Sequence, residues 1–314
     1  VYQQAWIDGE SAYRITGNKG SAKYFSIVAQ GPRPAPHDKW RPLMDPFGDV
    51  PEASLLGYQI EADWEGNFEL YIGGPKREKN WLPTTAGTRK LFIRQYFDSW
   101  SEESARMRIE RLGMTEPRPV PKPQDIVKAL DWMGTFNYQN SIDWPDWAYA
   151  YASDLDRDNI NKFPSKRRTD VPVDPSYNAQ KDKIRARSGI AMRWQLKPDE
   201  AMVLEFDHKN IFWMITNMGM ELNSMDYLYR PVSWTPSRTK VDSDGKIRFV
   251  MTEGDPGYHN WIDTSGLAEG FLENRNVYTT EFTEIRTKVV KRANLAAAMP
   301  ANSAKVTPEE RTQQ

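Results

Sequence analysis

The sequence predicts a mainly β protein: two duplicated antiparallel β-sandwich units, jelly-roll-like, with a helical, aromatic-rich connecting segment and a C-terminal helix. Three observations carry this. One stretch occurs twice, as Asn80-Trp81-Leu82-Pro83-Thr84-Thr85-Ala86-Gly87 and as Asn260-Trp261-Ile262-Asp263-Thr264-Ser265-Gly266. Each copy follows a turn and a strand in the same phase. Gly66-Asn67 leads into Phe68, Leu70 and Ile72, which alternate with Glu69 and Tyr71; Asp244-Gly245-Lys246 leads into Ile247, Phe249 and Met251, which alternate with Arg248 and Val250. Each copy is then followed by an apolar strand ending in arginine, Arg94 or Arg275. Turn, strand, corner and strand repeated at nearly equal spacing read as an internal duplication.

Composition sets the outer limits. A chain of 314 residues holds one large or two ordinary domains. Twelve Trp are many for this length, and such large rings can build a core despite modest aliphatic content. The net charge of -1, with acids and bases interspersed, gives no whole-molecule attraction to nucleic acid or anionic membrane. Without Cys there is no disulfide, thiolate metal site or Cys nucleophile. No apolar run approaches the roughly 20 residues of a membrane helix. A soluble protein of cytoplasm or periplasm is expected. The chain opens on Val1 rather than Met, which leaves room for a leader or further N-terminal residues.

In chain order, residues 1–100 read as the first β-sandwich unit. Tyr13 to Gly17, Ala22 to Ala29, Leu55 to Ile60, Phe68 to Ile72 and Leu91 to Phe97 are its strands. Pro32 to Pro51, with six prolines, reads as a long surface loop. Residues 101–190 read as a helical and irregular connector. Ser101 offers an N-cap, with Met107, Ile109 and Leu112 apolar and Gly113 as the stop. Ile126, Ala129, Leu130 and Met133 fall at helical spacing before Gly134, and Tyr177 to Ser188 is a further charged helix. Residues 191–280 return to strands, as the second unit: Met192 to Leu196, Met202 to Phe206, Ile211 to Ile215 and Tyr227 to Trp234, with a hairpin turn at Asp242 to Gly245. Residues 281–314 read as a C-terminal helical segment, with a stripe of Phe282, Ile285, Val289 and Ala293. Thr307-Pro308-Glu309-Glu310 is a second helix start.

The run Asp255-Pro256-Gly257-Tyr258-His259-Asn260-Trp261-Ile262-Asp263-Thr264-Ser265-Gly266, with Arg275 behind it, resembles the signature of a bacterial family of unknown function, DUF1214. Tyr13 to Gly17 and Thr307 to Arg311 are similar to the longer members. The resemblance covers most of the chain and is weakest over 110–185. It implies a β-sandwich of jelly-roll type and no established reaction. Ile262 and Leu267 stand where the family carries Leu and His.

Asn-Trp followed by Thr and Gly is first of all a structural turn: Asn bonds its own backbone, Trp anchors in the core and Gly permits positive φ. A site is expected where the copies diverge. His259 replaces Lys79 and Asp263 replaces Pro83. His259 and Asp263 are therefore the catalytic candidates, with Asp263 orienting His259 as a base. Asn260, Trp261 and Arg275 are ligand-binding candidates, Arg275 suiting a carboxylate or sulfate. Trp144 and Trp147 could stack on a sugar ring, or simply join the β units. The three histidines, His37, His208 and His259, lie far apart and form no metal motif, so no metal and no cofactor are expected. No P-loop, Gly-x-Ser-x-Gly or Gly-x-Gly-x-x-Gly occurs. The expected function is binding, with or without conversion, of a small organic molecule in a pocket between or at the end of the β units. The alternatives are a carbohydrate-binding module without catalysis and a structural, self-assembling protein. A homo-oligomer that binds no nucleic acid is expected.

Overall fold

A computed structural model describes residues 1–32, 49–116, 120–143, 160–164, 185–207, 212–279 and 283–313. The chain divides into two compact units, Val1–Trp144 with Val173–Lys181, and Pro145–Pro172 with Asp182–Gln314.

Among the described residues the first unit has eight strands: β1 (Tyr2–Trp6), β2 (Tyr13–Asn18), β3 (Tyr24–Gly31), β4 (Val50–Leu56), β5 (Asn67–Ile72), β6 (Trp81–Leu82), β7 (Lys90–Tyr96) and β8 (Arg106–Arg111). They form two sheets, β1-β7-β3-β4 and β6-β5-β2-β8. Alternation sends one side of each sheet inward. Phe25, Ile27, Leu91 and Ile93 meet Ile15, Leu70, Ile72 and Leu82 in one core.

The second unit repeats the plan with β9 (Arg185–Gln195), β10 (Glu200–Asp207), β11 (Phe212–Met218), β12 (Ser233–Trp234), β13 (Lys246–Thr252), β14 (Trp261–Asp263), β15 (Glu269–Thr279) and β16 (Arg286–Lys291). Its sheets run β9-β15-β11-β12 and β14-β13-β10-β16. Each strand thus occupies the place of the strand eight numbers earlier. The pairings agree: β5–β6 and β13–β14 are parallel, whereas the other ladders are antiparallel. The second core is richer in rings. Trp213 meets Phe206 edge-on at 5.2 Å and Trp234 meets Phe249 at 5.5 Å.

Several expected elements differ. The helix read from Ser101 is strand β8, lying along β2 with Ile15 opposite Ile109. Met107 and Ile109 are two apart, and the open edge of β2 selects that period over the helical one. The helix read over 281–298 is mostly β16, which completes the edge of β10, followed by a 3-10 turn and the short α2 (Leu295–Ala298). Thr287, Val289 and Val290 are β-branched and favour that outcome. Ile285 of the expected stripe joins the second core, while Phe282 lies outside the described residues. Of Tyr177 to Ser188, the part from Arg185 onward is strand β9 and the rest lies outside the described residues. Only Ser233–Trp234 of the stretch from Tyr227 is strand; Tyr227 to Arg230 is a turn. The strand read over Leu55 to Ile60 ends at Leu56, and Gly57–Gln59 is a 3-10 turn. The proline-rich loop falls largely on residues 33–48, outside those described.

The helix around Ile126 is present as α1 (Pro123–Tyr138) and runs through Gly134, where an added Cβ would meet nothing within 4 Å. The C-terminal helix start is also present. In α3 (Pro308–Arg311), Thr307 Oγ1 accepts from the Glu310 backbone N–H at 3.2 Å, and Glu310 Oε2 accepts from the Thr307 N–H at 2.8 Å.

Candidate functional site

The two corners make the same bonds. Asn80 Nδ2 donates to the carbonyls of Glu61 and Glu69, both at 2.8 Å, and Asn80 Oδ1 accepts from the Glu61 N–H at 2.7 Å. Asn260 Nδ2 donates to Lys240 and Arg248 at 2.7 and 2.9 Å, and Asn260 Oδ1 accepts from Lys240 at 3.0 Å. Each Asn therefore ties the turn before its strand to the strand itself, rather than bonding its own backbone as expected. Trp81 Nε1 donates to Gly73 O, and Trp261 Nε1 to Thr252 O, both at 3.0 Å. Asn260 and Trp261 are thus held in a lock that the first copy possesses too.

The divergent residues do not form a couple. Asp263 is buried, and Arg230 Nη1 donates to its Oδ2 at 2.8 Å while the Ser265 N–H donates to its Oδ1 at 3.0 Å. That carboxylate therefore does not orient His259. The His259 ring lies 5.8 Å from the Trp234 ring, and its Nε2 bonds the Arg238 carbonyl at 3.0 Å. A carbonyl only accepts, so Nε2 carries the proton. Burial pushes this half-buried imidazole below its ordinary 6.5; the Arg238 bond opposes the shift, and the positive Lys240 and Arg311 add to it. Arg311 closes over the corner. It donates to both Asp255 oxygens at 2.9 and 3.0 Å and to the His259 carbonyl at 3.1 Å, and sits 5.2 Å from the Trp261 ring.

Arg275 lies elsewhere, on the face of β15 that turns away from the core, with its Nε 2.8 Å from Glu273 Oε1. Trp144, Trp147, His37 and His208 lie outside the described residues. Among the described residues no group of three His, Asp or Glu could hold a metal ion. No helix among them is long and apolar enough to cross a membrane.

A different cluster emerges in the first unit, on the outward face of β1-β7-β3-β4. Because Leu91 and Ile93 point inward, Lys90, Phe92 and Arg94 point outward; on β3, Ser26 and Gln30 do likewise. Outward faces of antiparallel sheets are ordinarily solvated. Here Ser26 is 0 % exposed, Gln30 6 % and Lys90 7 %. The Ser26 hydroxyl has no hydrogen-bond partner among the described residues. Lys90 Nζ is 3.1 Å from Asp49 Oδ2 and 5.6 Å from the Trp6 ring. Arg94 lies 4.3 Å over Phe92, which stacks on Tyr2 at 5.3 Å. Trp132 of α1 meets Trp6 edge-on at 5.8 Å. Along β1 the face opens: Tyr2 is 52 % and Trp6 55 % exposed. The strand expected over Leu91 to Phe97 has this polar and aromatic face on its outer side. The period-two alternation of Lys90, Phe92 and Arg94 was the available signal.

Residues 2–98 match the model of the family described as protein of unknown function (DUF1214). The match falls on the first copy of the corner, whereas the signature Asp255 to Gly266 lies in the second. An uncharacterised protein from Burkholderia cenocepacia has a crystal structure similar to this fold. Its TM-score is 0.77 at 26% identity, over 93% of this chain and 76% of that one. The VPA0106 protein from Vibrio parahaemolyticus aligns over 93% of this chain and 89% of its own at 14% identity, with a TM-score of 0.47. No curated protein matches.

Proposed function

We propose that the protein binds a small organic ligand on the outward face of the β1-β7-β3-β4 sheet. The supporting observation is that Ser26, Gln30 and Lys90 are buried on a sheet face turned away from its core, and that the Ser26 hydroxyl has no hydrogen-bond partner among the described residues. An apolar surface with a few convergent polar groups is the usual make-up of a ligand site. Trp6 and Phe92 supply flat apolar contact, and the open edge along β1 supplies entry. The reading is of binding alone; His259 and Asp263 stand apart from this face, each engaged at the second corner.

The test is a panel of small aromatic and aliphatic acids, amides and sugars, followed by thermal shift and tryptophan fluorescence. Compounds that stabilise the protein should bind Trp6→Ala and Phe92→Ala about tenfold more weakly, the equivalent of ~1.4 kcal/mol of lost ring contact. Equal binding to wild type and both variants, or no binder in the panel, would remove the reading.

A further inference from the structure

We infer that the outer side of α1 is the docking surface for a second copy of this chain, which packs there α1 against α1 as a two-fold dimer. α1 carries apolar groups on two sides. On one side Trp132 stacks on Phe136 at 5.3 Å and meets Trp6 of β1 edge-on at 5.8 Å, which attaches the helix to its own unit. On another, Ile126, Leu130 and Met133 recur at the spacing of one helix face, with Val127 beside them. At about 100° per residue, this stripe lies on the far side of the helix from Trp132 and Phe136. Its four side chains are 49 % to 58 % exposed, and no residue of α1 is buried. A helix of a globular protein ordinarily turns its apolar stripe to a core. Here the stripe is turned outward.

Gly134 indicates how close the partner comes. Glycine inside a helix weakens it relative to alanine. Within the chain nothing requires glycine at this position: its φ is not positive, and a Cβ added there would meet nothing within 4 Å. Gly134 stands one turn beyond Leu130, next to the stripe. A gap beside a projecting leucine suits a second helix packed at close range, ridge into groove. Gap and projection also complement each other. About a two-fold axis, Leu130 of each copy fills the gap at Gly134 of the other, and both contacts form at once. This self-complementarity is what assigns the surface to a second copy. The charges agree: Asp125, Lys128 and Asp131 lie off the stripe, so it calls for no charged partner and has no basic flank for anionic lipid. One pair of 16-residue helices is a small interface, at the lower end of the roughly 1,200–2,000 Å² of stable complexes. The dimer should therefore form at micromolar rather than nanomolar concentration.

Sedimentation velocity on the full chain, from about 1 to 500 μM, tests this. The wild type should pass from monomer to dimer within that range. Leu130→Glu, at an exposed position that the fold tolerates, should stay monomeric throughout. Gly134→Ala gives effects of opposite sign. The methyl group favours the helix and should raise the thermal midpoint of a dilute, monomeric sample. It also fills the gap, and should weaken self-association by about tenfold or more. The chain has no Cys, so Met133→Cys places a single thiol on the stripe. Mild oxidation should link it into a dimer, whereas Lys128→Cys, off the stripe, should remain unlinked. A monomer at every concentration, a dimer indifferent to Leu130→Glu, or a Gly134→Ala chain that associates as the wild type does overturns the proposal. So does a monomer whose Met133→Cys thiol resists a small alkylating reagent, because the stripe is then covered from within the chain. A monomer that partitions onto phosphatidylcholine vesicles overturns it too, and gives the stripe to a membrane surface.

Discussion

At the second corner the smallest informative group is one imidazole ring. His259 is half-buried against Trp234, and its depressed proton affinity comes first from burial, opposed by the bond to Arg238. In the unfolded chain the ring takes a proton near its ordinary value of 6.5, before the folded protein does. The folded state is therefore disfavoured progressively as pH falls through 6.5, and the penalty is absent above it. The thermal midpoint should decline between about pH 7 and pH 5.5, and His259→Gln should flatten that decline. An unchanged slope would show that other groups set it. From sequence, His259 could be recognised as the odd residue beside the corner. Its neighbours could not be, because Trp234 and Arg238 come from β12 and the turn after it, more than twenty residues away.

At the scale of elements, the lesson comes from the two sheet edges. β8 and β16 each lie at the end of a sheet, and each is rich in Arg and Lys. Charged edge strands resist pairing with other chains. Both stretches were read as helical because their apolar residues also fit a helical spacing. The decision came from β2 and β10, which present unpaired edges to them. Gly17 on β2 records how close this contact is: a Cβ there would stand 2.0 Å from the Arg106 carbonyl oxygen. Gly17→Ala should therefore push β8 off its partner. Hydrogen exchange at Arg106 to Arg111 should rise by an order of magnitude or more while the β3–β7 amides stay protected, since local opening of an edge needs far less than global unfolding. Uniform exchange across both sheets would contradict a local effect.

At the scale of the whole molecule, the chain is one eight-stranded plan executed twice, each with its own core. The locks at Asn80 and Asn260 should therefore act on separate units. Asn260 is 7 % exposed and serves three backbone groups. Asn260→Ala strands those groups and should destabilise the second unit by roughly 1–3 kcal/mol. Asn80→Ala, at a more open position, should weaken the first unit by less. Calorimetry with fluorescence from Trp194, Trp213 and Trp234 would separate them; a single transition moved equally by both variants would refute independent units. At the second corner Arg230 engages the Asp263 carboxylate and the Arg238 carbonyl engages the His259 ring.

The sequence by itself determined the repeated unit, its alternating strands and the family resemblance, because turn chemistry and period-two patterning are local and survive without any knowledge of neighbours. Only the tertiary structure decided that residues 106–111 and 286–291 are strands, that the Asn side chains bond across to other segments, and that Ser26, Gln30 and Lys90 are buried on an outward sheet face. Each of those depends on groups far apart in the chain meeting in space, and edge pairing and burial exist only once the sheets are assembled.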